Sequence, residues 1–227
     1  MKNCMEWVLS EHAIFSLGGA TVPLYDTLGP QTIDFVLGET GISCVVSTRL
    51  ELSALCEAKK VGQHAAFQTV ILIDGITPQA AKTAKDAGLD VYSLAKIEAA
   101  GADIITLADP CHKHTPPSGK DVATFCYTSG TTGNPKGALI THENLMSAVA
   151  AMQSIVRTEP SDRHLSYLPL PHIFERIVQV QVLLAGASIG FFRGDPKLLV
   201  EDLQACRPTM MPAAPRGLNK IYDKINA

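Results

Sequence analysis

The 227-residue sequence lacks several patterns that would assign it to a broad class at once. Its 19 basic and 22 acidic residues give a net charge of -3 at pH 7, with no long run of either sign. Nucleic-acid binding needs a basic surface, so this balance argues against nucleic acid as a partner. Internal repeats and low-complexity tracts are also absent, and the opening residues do not have the pattern of a signal peptide.

Long hydrophobic runs and paired cysteines are missing as well. The most apolar stretch, residues 178–192, contains two glutamines and is interrupted by Gly186, so it is too short to span a membrane. The six cysteines lie at positions 4, 44, 56, 111, 126 and 206 without any CxxC pair. That scatter fits neither a zinc site nor a small disulfide scaffold, and we expect free thiols in a reducing compartment.

Short β-rich apolar runs alternate along the chain with helical patterns. The strand-like runs cover 42–47, 69–74, 89–94, 122–128, 164–170, 187–192 and 209–212. The helical patterns are 4–17, LELSALCEAKK, PQAAKTAKDAG, THENLMSAVAAM, FERIVQVQVLLAG and PKLLVEDLQACR. Such alternation predicts an α/β fold, with a largely parallel sheet covered by helices. The length allows one large domain or two small ones.

Both ends of the sequence lack the capping and stop signals that are usual at the end of a domain. A helical pattern begins almost at the first residue, and the closing LNKIYDKINA is helix-like with no glycine cap. We therefore expect a piece of a longer protein. The polar, proline-bearing stretch 108–121 is predicted to be a connector that leads into the strand at 122–128.

Residues 127–137, YTSGTTGNPKG, follow that strand directly. Besides Tyr127, they supply four hydroxyl side chains, three glycines and one lysine, namely Thr128, Ser129, Thr131, Thr132, Gly130, Gly133, Gly137 and Lys136. Glycines let backbone N–H groups approach an anion closely, and lysine adds a point charge, so the segment suits phosphate. It is not a Walker loop, because no Ser or Thr follows Lys136. An ordinary polar turn is the alternative.

The stretch YTSGTTGNPKGALITHENL resembles the phosphate-loop signature of the adenylate-forming superfamily. Three further stretches, VPLYDTLGP (22–30), LPLPHIFER (168–176) and PRGLNKIYDKI (215–225), resemble the long-chain fatty acid–CoA ligases of that superfamily. The resemblance implies that 1–227 is an incomplete N-terminal AMP-binding domain with its phosphate loop at 127–137. It also implies a parent enzyme on the cytoplasmic side of the cell, associated peripherally with a membrane such as the endoplasmic reticulum.

The resemblance implies a two-step reaction that uses ATP, Mg²⁺ and coenzyme A. A fatty-acid carboxylate attacks the α-phosphorus of ATP, pyrophosphate leaves, and the thiol of coenzyme A then displaces AMP. The family pattern assigns the ATP phosphates to Thr128, Ser129, Gly130, Thr131, Thr132, Gly133 and Lys136. It makes Lys136 and His172 catalytic, with His172 close to the carboxylate and the α-phosphate. No residue here is matched to a metal ligand.

His172 has a competing structural explanation. Pro169 and Pro171 predict an extended approach to a helix that begins near His172, so the ring could simply cap that helix. The apolar helix that follows could line an acyl tunnel, although core packing is the default. Glu175 and Arg176 are expected to form a solvated or locally paired turn, and the same caution applies to Trp7, His142 and Glu143.

Several family motifs have no counterpart in these 227 residues. They are the glutamate that helps hold magnesium, the aspartate that binds the ribose, the lysine of the C-terminal domain, and a strand before helix 4–17. We therefore expect the chain alone to be inactive and prone to self-association through exposed apolar surface. A medium-chain or aryl ligase, or a non-catalytic module that binds nucleotide phosphates, are the alternative functions.

Overall fold

The structure, a computed structural model, describes residues 1–25, 30–62, 64–106, 116–128, 135–213, 215, 219 and 222–223. They form two compact units, one made of 1, 6–118 and 123–139 and the other of 2–5, 119–122 and 140–227. No helix in these described ranges is long and apolar enough to cross a membrane.

The first unit carries a three-stranded parallel sheet. In chain order its elements are α1 (Met5–Ser16), α2 (Pro30–Thr40), β1 (Cys44–Ser47), α3 (Arg49–Gly62), β2 (Thr69–Leu72), α4 (Pro78–Asp86), β3 (Asp90–Ser93) and α5 (Leu94–Thr106). The strand order is β1-β2-β3, with Val45 opposite Val70 and Val70 opposite Val91. Helices between successive parallel strands are the expected way to make such crossovers.

The core of this unit lies between the sheet and α2, α3 and α4. Its buried residues include Leu37, Leu52, Leu55, Phe67, Val70, Leu72 and Ala84. Phe67, Val70 and Leu72 have no more than a trace of exposed surface. Burial of a side chain of this size contributes about 1.5–3 kcal/mol, so the β2 region anchors the unit.

Two more strands follow, β4 (Val122–Thr128) and β5 (Lys136–Thr141), and they pair with each other. A parallel bridge also joins Thr21 to Thr124. Helix α6 (His142–Ile155) begins where β5 ends. Its start is fixed by a capping box, because the Thr141 hydroxyl accepts from the Asn144 N–H and the Asn144 side chain accepts from the Thr141 N–H.

The second unit contains α6 and a smaller parallel pair of strands. Its further elements are β6 (Arg163–Ser166), α7 (Ile173–Leu184), β7 (Ser188–Phe191) and α8 (Leu199–Cys206). Strands β6 and β7 are parallel, with Leu165 opposite Gly190, and α7 is the crossover between them. The α/β class with parallel strands predicted from the alternating pattern is confirmed.

The structure departs from the sequence prediction at several elements. The run 164–170 is a strand only as far as Ser166, because the His172 N–H donates to the Pro169 carbonyl at 2.9 Å and makes a turn. The extended approach expected from Pro169 and Pro171 is therefore wrong. The run 209–212 contributes a single bridge, Met210 to His164, instead of a strand. Helices α2 and α5 and strand β5 were not expected as elements.

Some predictions fall where the structure gives no description. Residues 108–115 of the predicted connector lie outside the described residues, as does most of the closing helix-like run. Within the connector, 116–121 are neither helix nor strand, as expected for a polar linking segment. No disulfide joins Cys4, Cys44, Cys56, Cys126 and Cys206, the cysteines that the structure describes.

Candidate functional site

The pairing of β4 with β5 brings together the two ends of the predicted phosphate loop. Strand β4 ends at Thr128 and β5 begins at Lys136. The Thr128 hydroxyl donates to the Lys136 carbonyl at 3.5 Å, a long contact that joins the last residue of one strand to the first of the next. Ser129, Gly130, Thr131, Thr132 and Gly133 lie outside the described residues, so only the two ends can be placed.

Lys136 and Thr128 are both exposed at this strand end. The backbone of Lys136 belongs to β5, while its side chain reaches solvent. An ammonium group on a flexible stem acts as a point charge with three donors, and a hydroxyl adds another donor. The arrangement can therefore meet the oxygens of an anion that lies over the strand ends.

Tyr127 precedes this pair of residues and is buried, with 6% of its surface exposed. Its hydroxyl donates to the carboxylate of Glu39 on α2. Burial, followed by the hydrogen bond and the negative charge of Glu39, raises the pKa of Tyr127 above its usual range. Sequence reasoning missed this contact because Glu39 lies 88 residues away and no local pattern marks it.

His172 belongs to the second unit and is the N-cap of α7. Its Nδ1 accepts from the Phe174 N–H at 3.2 Å, so the capping explanation weighed from the sequence describes what the ring does here. A neutral imidazole whose Nδ1 accepts carries its proton on Nε2. The exposed ring thus offers one N–H donor beyond the cap, which suits a carboxylate or phosphate oxygen.

Glu175, in the first turn of α7, is fully buried beside His164 of β6. The Nε2 of His164 lies 2.8 Å from Oε1 of Glu175, and neither side chain is exposed. Gln179 donates to the same Glu175 oxygen at 3.3 Å and to Ser166 Oγ at 2.8 Å. The expectation of a solvated turn at Glu175 and Arg176 is wrong, since Glu175 is fully buried and Arg176 is only 2% exposed; Glu175 pairs with His164 of β6, which is not a partner within the turn.

Asn3 holds the turn that leads into α7. Its amide nitrogen donates to Ser166 Oγ at 2.9 Å and to the Leu168 carbonyl at 2.7 Å, while its amide oxygen accepts from the Leu170 N–H at 3.1 Å. A half-buried amide that satisfies three backbone or side-chain groups rigidifies its surroundings. The position of His172 therefore depends on a network inside the second unit.

The helix proposed to line an acyl tunnel, α7, packs part of its apolar surface inward, while Leu183 and Leu184 at its end are exposed. Val178 and Val182 of α7 are buried, which is the default expected for such a helix. Beside it lies a small cavity of about 220 Å³ against α6, lined by Met146, Val149, Ala150, Gln153, Gln181, Leu184 and Ala185. A larger cavity, of about 620 Å³, lies in the first unit next to β1.

Comparisons with known proteins agree with one another. The family model described as "AMP-binding enzyme" matches residues 1–227. The chain is 39% identical over 229 residues to long-chain-fatty-acid–CoA ligase 5 of Rattus norvegicus, covering 99% of this chain and 33% of that protein. It is 37% identical over 231 residues to long-chain-fatty-acid–CoA ligase 1 of Cavia porcellus, covering 100% and 32%. It thus spans about a third of these curated relatives.

A solved structure supports the fold independently. The A domain of a carboxylic acid reductase from Segniliparus rugosus, in complex with AMP and a co-purified carboxylic acid, superposes with a TM-score of 0.79 at 20% identity. The match covers 100% of this chain and 38% of that one. Taken with the family match over every residue, these similarities show that the chain belongs to the family of AMP-binding enzymes.

Proposed function

We propose that this chain supplies the phosphate-binding part of an ATP-dependent long-chain fatty acid–CoA ligase, an acid–thiol ligase. The observation that carries the proposal is the 39% identity to long-chain-fatty-acid–CoA ligase 5 of Rattus norvegicus across 99% of the chain. The geometry supports it, because Thr128 and Lys136 meet at the ends of two paired strands and are both exposed.

The proposed chemistry begins with adenylation. A carboxylate oxygen bonds to the α-phosphorus of ATP while the bond to the bridging oxygen breaks, and the electron pair leaves with pyrophosphate. Lys136 places positive charge near the leaving group, and the Thr128 hydroxyl exchanges its long contact with the Lys136 carbonyl for a phosphate oxygen. Donors aimed at charge that develops in the transition state lower the barrier more than donors that only bind the substrate.

His172 is proposed to contribute its Nε2–H to the same step. A donor at this ring nitrogen could hold the fatty-acid carboxylate or an α-phosphate oxygen, while Nδ1 stays engaged with the helix. The ring does not need to accept a proton in this role. Its function is to bind and orient the reacting oxygens, which contributes through positioning.

Magnesium and coenzyme A are also proposed for the complete enzyme. The part of the chain that the structure describes holds no group of three or more His, Cys, Asp or Glu residues suited to a metal ion. Mg²⁺ commonly binds through one or two carboxylates together with substrate phosphates, so the lack of a larger group among the described residues assigns it no protein ligand. No residue of this chain is proposed to bind coenzyme A.

The test is ATP–pyrophosphate exchange in a longer protein that contains this chain, with palmitate as the acid. We expect Lys136→Ala to lower exchange about 10²- to 10³-fold, the usual effect of removing one such donor. The matched control is Lys82→Ala, which removes the same charge from an exposed position on α4 and should leave exchange unchanged. Equal rates for Lys136→Ala and the unaltered protein would remove Lys136 from the mechanism.

Two further arms separate the alternative functions. Octanoate and benzoate replace palmitate, and faster exchange with either would assign a medium-chain or aryl ligase instead. Binding of inorganic tripolyphosphate is measured by calorimetry on the same protein. Tripolyphosphate binding without exchange for any of the three acids would favour a non-catalytic module that binds nucleotide phosphates.

A further inference from the structure

Tyr127 is in contact with both ends of the segment that joins β4 to β5. Its ring lies against Gly137, the second residue of β5, so closely that a Cβ added at Gly137 would lie 3.0 Å from the ring Cζ and 3.2 Å from Cε1. Few real Cβ atoms approach a neighbour at these distances. The backbone at Gly137 therefore rests directly on the Tyr127 ring, which gives this glycine a packing role beside the one expected from the sequence.

The hydroxyl end of the same ring is fixed by Glu39. The Tyr127 hydroxyl donates to the Glu39 carboxylate, and hydrogen bonds to ionised groups are roughly twice as strong as those between neutral groups. The Tyr127 side chain is thus held at its tip by Glu39 and along its face by Gly137. It cannot rotate away without breaking the hydrogen bond.

Glu39 is itself on a firmly packed helix. On α2, Val36 and Leu37 are at most 1% exposed, and Leu37 belongs to the core cluster of the first unit. Asp34, one turn earlier, pairs with His64 at 2.8 Å. A path of contacts therefore runs from the core through α2 and Glu39, an exposed residue, to Tyr127, and from there to Gly137.

Tyr127 is also the neighbour of Thr128 in the chain. One end of the proposed phosphate segment is thus bonded covalently to Tyr127, and the other end, at Lys136 and Gly137, lies on its ring. The Thr128 hydroxyl reaches the Lys136 carbonyl at 3.5 Å between these two ends. The position of the Tyr127 side chain therefore determines the distance between Thr128 and Lys136.

We propose that Tyr127 and Glu39 are positioning residues, which hold Thr128 and Lys136 at a fixed separation so that their donors meet the phosphates of the nucleotide together. This inference rests on the proposed function for its ligand, but the positioning itself is a property of the chain without ligand. Neither residue is proposed to touch the nucleotide. Their effect passes through Gly137 and the backbone of Thr128.

The first experiment measures amide hydrogen exchange in the ligand-free 227-residue chain. We expect Tyr127→Phe and Glu39→Ala to raise exchange about fivefold or more in the peptides that contain Thr128 and Lys136–Gly137, and not elsewhere. Glu39→Gln should restore slow exchange, because its amide oxygen can still accept from the tyrosine hydroxyl. The matched controls are Tyr92→Phe on β3 and Glu98→Ala on α5.

The second experiment measures the affinity for inorganic tripolyphosphate in the same variants. We expect about five- to tenfold weaker binding for Tyr127→Phe and for Glu39→Ala, and no further loss when they are combined. Two residues that act through one hydrogen bond are not additive in a double-mutant cycle. The thermal midpoint is recorded in parallel, so that loss of affinity is compared among folded proteins.

The outcomes separate this inference from the proposed function. Unchanged exchange at Thr128 and Lys136–Gly137 in Tyr127→Phe overturns the inference, as does a uniform rise across the first unit, which would mean a general loss of stability. Faster exchange confined to those peptides supports it. If that local rise occurs but the unaltered chain binds no tripolyphosphate, the positioning stands and the phosphate-binding function fails.

Discussion

His164 Nε2 and Glu175 Oε1 lie 2.8 Å apart, and neither side chain has any exposed surface. The pair joins the first parallel strand of the second unit to the helix that carries His172 at its start. A charge or strong acceptor buried without its partner costs far more than the pair itself contributes. The pair therefore fixes where α7 can begin.

Glu175→Ala should lower the free energy of unfolding by about 3–5 kcal/mol, because it leaves His164 buried without its acceptor. Glu175→Gln should cost less, since an amide oxygen can still accept from His164 Nε2–H. Urea titration followed by circular dichroism measures both. Glu98→Ala, at an exposed position on α5, is the control and should stay within about 0.5 kcal/mol. A Glu175→Ala protein as stable as this control would contradict the prediction.

Two substitutions of His172 separate its role as the N-cap of α7 from its proposed contact with the reacting oxygens. His172→Ala removes both, whereas His172→Asn keeps a good capping side chain but removes the imidazole. We expect only the alanine variant to lose stability, by about 1 kcal/mol. In a longer protein containing this chain, both variants should slow acyl-AMP formation, measured by quenched-flow detection of the adenylate.

The alternative for His172 has a different signature. If the ring serves only as a cap, His172→Asn should form acyl-AMP at the unaltered rate, and any deficit in His172→Ala should follow its loss of folded protein. Unfolding curves for both variants, recorded under the conditions of the rate measurement, decide between the two explanations.

The elements that sequence predicts well are those whose signal is local. The helical pattern THENLMSAVAAM begins at Thr141, and α6 begins at the next residue, with Thr141 as its N-cap. Strand β4 has the bounds expected from its apolar run, 122–128. In both cases the residues that determine the element are neighbours in the chain, so composition and period are sufficient.

The features that sequence missed depend on partners far along the chain. Glu39 contacts Tyr127 across 88 residues, and Asn3 contacts Leu168 across 165. His164 and Glu175 are only 11 residues apart, but a strand and a turn separate them, and a glutamate at a helix start is ordinarily solvated. Periodicity carries no information about such pairs. The roles proposed for Lys136 and His172 also stay predictions.

Lowering the pH should reduce the folding stability of the second unit, because Asp162 becomes protonated. The Thr209 hydroxyl donates to this carboxylate at 2.6 Å, and the Glu159 N–H donates at 2.8 Å. These hydrogen bonds, that of Thr209 first, hold the pKa of Asp162 below its ordinary 3.8. The stability that they contribute is present above pH 3.8 and is lost as the pH falls through the lower pKa of the folded state.

The thermal midpoint of Asp162→Asn should therefore be lower than that of the unaltered chain at neutral pH. The difference between the two midpoints should become smaller once the pH falls below about 3.8. Thermal midpoints from calorimetry between pH 7 and pH 3 measure it. Asp86→Asn, at an exposed position of α4, is the control for removing one carboxylate. A gap between Asp162→Asn and the unaltered chain that does not change with pH would exclude Asp162 as the titrating group.

The 620 Å³ cavity of the first unit lies along one edge of β1. Residues 20–25 and 40–47 line it. The Ser43 and Ser47 carbonyls accept from the β2 side, so alternation directs the main-chain groups of Cys44 and Val46 away from β2, to the free edge of the strand. No strand among the described residues pairs with this edge. Unpaired edges beside apolar surface are sites where chains associate.

The self-association expected from the sequence should therefore pass through β1. Sedimentation velocity from about 5 to 200 μM should reveal oligomers of the unaltered chain, and Cys44→Lys should shift it toward monomer, because an edge lysine must desolvate its charge to pair. Val61→Lys adds the same charge at an exposed position of α3, 70% exposed and away from the cavity, and should leave the oligomers intact. Equal shifts toward monomer for the two variants would mean that net charge, and not the β1 edge, controls association. An unaltered chain that stays monomeric at all concentrations would contradict the prediction.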